Sequence, residues 1–279
     1  HVSVGSHDPR EDIKFVEEEF DYWFKQILER EWQKLSKEIE KKSTKLADGI
    51  TDRFSGLGVK VHEVHEVLQS LGLLTKKPTE WNDSDITKFA QMLRKKIKPM
   101  LIAANKADLC KDLKIANEIH RTREIVNCSA ETELLLKKAA KANLIDYIPG
   151  NEKFVINKNV DISPQQKEAL NLVENVLLKL NSTGIQTALN SAVFRVLKLI
   201  VVFPVEDETK LSNKEGEVLP DAKLLSENAT AKNLAETIHQ DIAKGFLFAI
   251  DAKTKQRIGA DHQLKNGDVI KIVSSLSRG

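Results

Sequence analysis

The residues best suited to chemistry lie at two predicted strand ends. Met100-Leu101-Ile102-Ala103-Ala104 is a short apolar run, and Asn105-Lys106-Ala107-Asp108 follows it directly. Ligands of open parallel sheets bind at the carboxyl ends of strands. An Asn-Lys-x-Asp turn in that place can read guanine. Its Asp accepts from N1–H and the exocyclic amine as a bidentate pair that adenine cannot supply. Here Asp108 takes that role, the stem of Lys106 lies along the purine face, and Asn105 ties neighbouring loops together. A polar strand-to-helix turn with Asp108 near a helix start is the competing reading. The second strand, Glu124–Cys128, ends in Ser129-Ala130-Glu131, which opens a helix. Free N–H groups at a helix start suit an acceptor such as guanine O6. Two such signals, one helix apart, favour the guanine reading over the turn.

The other candidates carry less. His62 and His65 are one helical turn apart, but no third metal ligand accompanies them, and a solvated helix face accounts for the pair. Cys110 and Cys128 read as two reduced thiols. Trp23 and Trp32 follow the apolar stripe of a long helix and read as core or interdomain packing. None of the 12 glycines fits the phosphate loop G-x-x-x-x-G-K-[ST], and none has an Asp three residues before it.

The elements that position these residues follow from periodicity. Ile13, Val16, Phe20, Trp23, Phe24, Ile27, Leu28, Trp32, Leu35 and Ile39 recur in steps of three and four, which predicts a long amphipathic helix over 11–45 opened by Asp12 or Asp8-Pro9. Further helices are predicted over 62–71 and from Asn82 to Pro99, so 11–98 reads as all-helical. Strand and helix then alternate, as in a parallel α/β sheet, with the run 100–104 expected to be buried on both faces. A helix is expected between the two strands and another over 131–142. Ser163-Pro164 is a further helix start, and a helical stretch follows over 184–196. The last part has strands at 199–203, 223–225, 246–250 and 269–273 around one helix over 231–243, which is a small α+β module.

The chain has 279 residues, with 43 basic against 41 acidic side chains and a net charge of +2. This balance gives no argument for nucleic acid or acidic lipid. No apolar run approaches a membrane span. Two cysteines suggest a reducing, cytoplasmic setting. The chain begins at His1 without Met, and it reads as starting inside a longer protein.

Taken together, the sequence resembles the YchF-type GTPases of the Obg-related group, most closely their archaeal branch. The resemblance rests on Gly5-Ser6-His7-Asp8-Pro9 with the Glu11-Asp12 helix, on Asn105–Asp108 and Ser129–Glu131, and on Lys137–Ala142 leading to Tyr147-Ile148-Pro149-Gly150. It rests also on Ser182-Thr183-Gly184-Ile185-Gln186 and, in the final part, on Lys244-Gly245-Phe246 and Asn266-Gly267-Asp268. It implies an α/β fold: a partial P-loop GTPase domain with a helical insertion, then a C-terminal β-grasp (ubiquitin-like) TGS domain. Residues 1–10 would be a remnant of the G domain, 11–98 the insertion, 99–196 the later half of the G domain and 197–276 the TGS domain. The phosphate loop and both switches of the family would be missing. The resemblance further implies GTP or GDP bound through Asn105, Lys106, Asp108, Ser129, Ala130 and Glu131, with Mg²⁺ in the intact protein. Many relatives carry Glu at the position of Asp108 and prefer ATP, so Asp108 implies GTP. It also implies a nucleotide-dependent switch with a ribosome or RNA partner, and no membrane or DNA. The alternative is an interaction module, without nucleotide function, that binds RNA or protein through the TGS-like part and the helical arm.

Overall fold

The computed structural model describes residues 8–110, 123–158 and 160–276. The helix expected between the two strands falls largely on 111–122, and Gly5, Ser6 and His7 fall on 1–7. Both segments lie outside the described residues. The chain divides into two compact units, His1–Gly184 and Ile185–Gly279.

The first unit opens with α1 (Pro9–Lys42). Asp8 caps it by accepting from Arg10 N–H, and Pro9 occupies the first turn, where no donor is lost. It is followed by α2 (Leu46–Phe54), α3 (Val61–Ser70) and α4 (Asp83–Ile97). The short α2 carries no long periodic pattern and escapes the sequence reading. Its Ala47, Ile50 and Phe54 are buried all the same. Asn82 caps α4 through a reciprocal pair with Asp85. These helices share one core, in which Phe24, Leu28, Ile50, Leu68 and Phe89 are fully buried. Each such side chain contributes about 1.5–3 kcal/mol. Trp32 stacks on Trp81 at 4.4 Å within that core. Trp23 does not join it: the residue is 47% exposed, stacked on Phe20 and tilted against Phe24. Phe15 and Val16, nearer the start of α1, are exposed as well.

Strands β1 (Ile102–Ala104) and β2 (Ile125–Asn127) pair in parallel, Ile102 opposite Ile125 and Ala104 opposite Asn127. The parallel arrangement agrees with the sequence reading, but the expected double burial does not. Ala103 is exposed, and Ile102 and Ala104 are half-buried. Among the described residues β1 pairs only with β2, so no further strand covers its other edge. After β2 comes α5 (Ala130–Lys141), then an unpredicted hairpin of β3 (Ile145–Asp146) and β4 (Val155–Ile156). Next is α6 (Pro164–Leu180), opened by the Ser163 capping box with Gln166. Leu136, Ile145, Leu170, Val173 and Leu177 lock α5, the hairpin and α6 together.

The second unit begins with α7 (Ile185–Asn190), which runs on as a π-helical turn over Ser191–Val196. Five strands follow in the order β6-β5-β9-β7-β8: β5 (Leu199–Pro204), β6 (Lys223–Ser226), β7 (Phe246–Asp251), β8 (Arg257–Ile258) and β9 (Asp268–Ser274). Only β5 and β9 are parallel. Between β6 and β7 lies α8 (Ala231–Ile238), whose Ala231 and Leu234 share a core with Val202, Leu225, Ala249 and Ile270. This is the layout of a β-grasp module. The single helix expected over 231–243 is two. His239 is extended (φ −164°, ψ 142°), and its Nδ1 accepts from Asp241 N–H to cap α9 (Gln240–Lys244). A side chain that can cap its own backbone favours ending one helix and opening another.

Candidate functional site

The two sequence signals meet at the carboxyl ends of β1 and β2. From β1 the chain turns at Asn105–Leu109. Lys106 sits in the left-handed region (φ 63°), which reverses the chain and leaves both Asn105 and Lys106 exposed. Ala107 is buried, and its N–H donates to Cys128 O at 3.0 Å. Cys128 N–H returns to Ala104 O at 2.9 Å. The turn after β1 is thereby laced to the end of β2. Asn105 Oδ1 accepts from Ala130 N–H at 3.0 Å. This is the loop-tying role expected of Asn105.

Ser129 is the N-cap of α5 and is 1% exposed. Its hydroxyl lies 2.7 Å from Thr132 Oγ1, and its N–H donates to Thr183 O at 2.8 Å. The N–H groups of Ser129 and Ala130 therefore both have acceptors within the chain. Glu131 is exposed on the first turn of α5. Asp108 is half-buried beside this junction. Its backbone is held from α6: Lys179 Nζ donates to Asp108 O at 3.0 Å and to Ala107 O at 3.3 Å. The ammonium thus ties two carbonyls of the turn to α6, and Ala107 O also accepts from Cys110 N–H at 3.3 Å.

Several residues of the site have no role in the sequence reading. Glu133 is 5% exposed, and its Oε2 accepts from Tyr147 OH at 2.8 Å and from Thr183 Oγ1 at 2.6 Å. Gly184 has φ +77°, and a Cβ there would lie 1.9 Å from Asn127 O. The stretch 182–186 is visible in the sequence as a Thr-Gly pair after a helix end. Only the fold brings it against β2, because Asn181 (φ 62°) ends α6 at that point.

Electrostatics separates the two thiols. Burial pushes the Cys128 thiol up to about 11, so it stays protonated and unreactive. Cys110 is only half-buried. Burial first, and then the hydrogen bond to Glu133, raise the Tyr147 phenol above its ordinary value, which keeps it a donor. His62 and His65 are both exposed on α3, and among the described residues no three His, Cys, Asp or Glu side chains are gathered to hold a metal. No helix there is long and apolar enough to cross a membrane.

Comparison with known proteins adds to this geometry. A model described as "Obg-like GTPase YGR210-like, G4 motif-containing domain" matches residues 103–207, and a TGS domain model matches residues 216–274. A protein of Methanocaldococcus jannaschii named as an uncharacterized GTP-binding protein is 37% identical over 273 residues, spanning 97% of this chain and 68% of that one. The crystal structure of a GTP-binding protein from Pyrococcus horikoshii OT3 is 40% identical with a TM-score of 0.80, and the match covers 97% of this chain and 73% of that one.

Proposed function

The chain belongs to the Obg-like GTP-binding proteins, and from that premise we propose that residues 103–131 are the base-reading half of a guanine-nucleotide site. Asp108 accepts guanine N1–H and the 2-amino group. Lys106 lays its stem on the purine face. Asn105 holds the two loops in register, and Ser129, Ala130 and Glu131 present the start of α5 to O6. The observation that carries this reading is the Asn105 Oδ1 to Ala130 N–H bond, which joins the two motifs at one point. A base oxygen arriving there shares that N–H with Asn105, so the site is preorganised before the base enters.

The intact switch needs more than base recognition. Mg²⁺, when bound, neutralises the phosphates during hydrolysis. The described residues gather no ligand set for it, and the role proposed for them is confined to the base. A nucleotide-dependent switch in the cytoplasm, linked to ribosomes or RNA through the helical arm and the TGS part, completes the proposal. That link rests on family resemblance, since a net charge of +2 contributes nothing to it.

Asp108→Asn tests the base assignment. Asparagine offers one donor and one acceptor, which matches xanthine instead of guanine. The ratio of GDP to XDP affinity, measured by titration, should fall by at least ~100-fold. An unchanged ratio refutes the assignment.

A further inference from the structure

Directly behind the base-reading loop lies a buried polar cluster that joins Ser129 of that loop to residues with no part in base recognition. Thr183 is 0% exposed, Ser129 1% and Glu133 5%. Burying a carboxyl is costly unless its oxygens are satisfied. Here one oxygen, Oε2, accepts from two hydroxyls: Tyr147 OH, just after β3, and Thr183 Oγ1 from the segment after α6. Lys137 Nζ lies 3.7 Å from the other oxygen. Thr183 is thus gripped by its side chain, while its carbonyl accepts Ser129 N–H at 2.8 Å. Ser182 Oγ accepts Gly184 N–H at 3.1 Å and shapes the same bend. Gly184 then presses its backbone on Asn127 O, where no side chain fits.

We propose that Glu133 and Thr183 are positioning residues for guanine recognition: through Thr183 O they fix the Ser129–Ala130 peptide at the place where the base O6 is read. The proposal rests on the guanine reading above. Its physical content is a chain of contacts, Tyr147 to Glu133 to Thr183 to Ser129, that ends one residue from Ala130. Without the grip on the Thr183 hydroxyl, the carbonyl of Thr183 is free to move, and Ser129 N–H loses its fixed acceptor. The Ala130 N–H is then held by Asn105 Oδ1 alone, without the support of the residue before it. Preorganised donors lose their advantage when their support is loose.

The test uses the full chain, ¹⁵N-labelled, titrated with GDP and with 6-thio-GDP and followed at the Ala130 and Thr132 amides by NMR. This readout reaches millimolar affinities. The sulfur analogue keeps N1–H and the 2-amino group but replaces O6 with a weak acceptor. Thr183→Val removes the hydroxyl at nearly constant volume. It should weaken GDP on the order of tenfold, the loss of one well-placed hydrogen bond, and leave 6-thio-GDP within about twofold. Thr183→Ser restores the donor and should restore GDP affinity. A general structural defect lowers both ligands alike, and that result overturns the proposal. So does a Thr183→Val chain that binds GDP as the unaltered chain does. If the unaltered chain shows no GDP shifts at these amides, the guanine reading fails first and this inference falls with it. An intact Asp108→Asn switch beside an inert Thr183→Val defeats the positioning role alone.

Discussion

Replacing Gly184 with alanine separates two costs that usually come together. The residue has φ +77°, and an added Cβ would lie 1.9 Å from Asn127 O, 2.9 Å from Asn127 C and 3.0 Å from Cys128 Cα. A left-handed backbone costs a non-glycine residue about 1–2 kcal/mol. The contact adds more. Moving from 1.9 Å to even the tight limit of 3.0 Å requires about 1.1 Å of displacement, and the obstacle is backbone, which has no rotamer to yield. That displacement breaks the Thr183 O to Ser129 N–H bond, worth roughly 1 kcal/mol. The total is about 2–4 kcal/mol. Gly72 is the control. It lies in the same unit, its φ is +67°, and nothing stands within 4 Å of its added Cβ. Gly72→Ala should therefore show the backbone cost alone, about 1–2 kcal/mol. Urea unfolding followed by circular dichroism gives both values, and amide exchange at Ser129 should quicken only in the Gly184→Ala chain. Equal destabilisation by the two substitutions, with Ser129 exchange unchanged, refutes the claim that Gly184 is required by contact with β2.

Arg94 and Asp21 form a buried pair between α4 and α1. Nε donates to Asp21 Oδ1 at 2.6 Å, Nη2 lies 2.5 Å from the same oxygen but off its N–H axis, and Arg94 is 3% exposed. Asp21→Ala strands the guanidinium and should cost about 3–5 kcal/mol in urea unfolding, while Asp21→Ala with Arg94→Met should recover most of it. In the folded chain a thiol reagent should modify Cys110 and spare Cys128 until denaturant is added, because burial keeps the Cys128 thiol at about 11. Mass spectrometry of the labelled peptides checks this. Glu17 meets Arg123 by two bonds of 2.8 and 2.6 Å, and the hydrogen bond to Arg123, partly opposed by burial, holds its carboxyl below the ordinary range. A depressed carboxylate stabilises the fold above its unfolded pKa. Its contribution should be whole at neutral pH and disappear as pH falls below about 4, and Glu17→Gln should flatten that part of the acid stability curve.

Both sequence signals of the site were readable because each is local. Asn105–Asp108 and Ser129–Glu131 each directly follow an apolar strand, and a four-residue motif keeps its meaning wherever the strand ends. The capped starts of α1, α4 and α6 were readable for the same reason: Asp8, Asn82 and Ser163 act on N–H groups two or three residues away. Periodicity placed α1 but misjudged Trp23, since a stripe states which face is apolar and not how far along the helix a neighbour reaches. It also merged α8 and α9, because the cap that His239 supplies is a polar side chain on a pattern that otherwise runs on. The support of the site was out of reach. Glu133 and Thr183 are 50 residues apart, and no spacing in the sequence links them to each other or to Tyr147. The amino-acid sequence by itself marked the groups that are proposed to face a guanine base. Only the tertiary structure decided what holds them still, because a hydrogen bond between distant residues has no period to read and exists once the core of α5, the hairpin and α6 has packed them side by side.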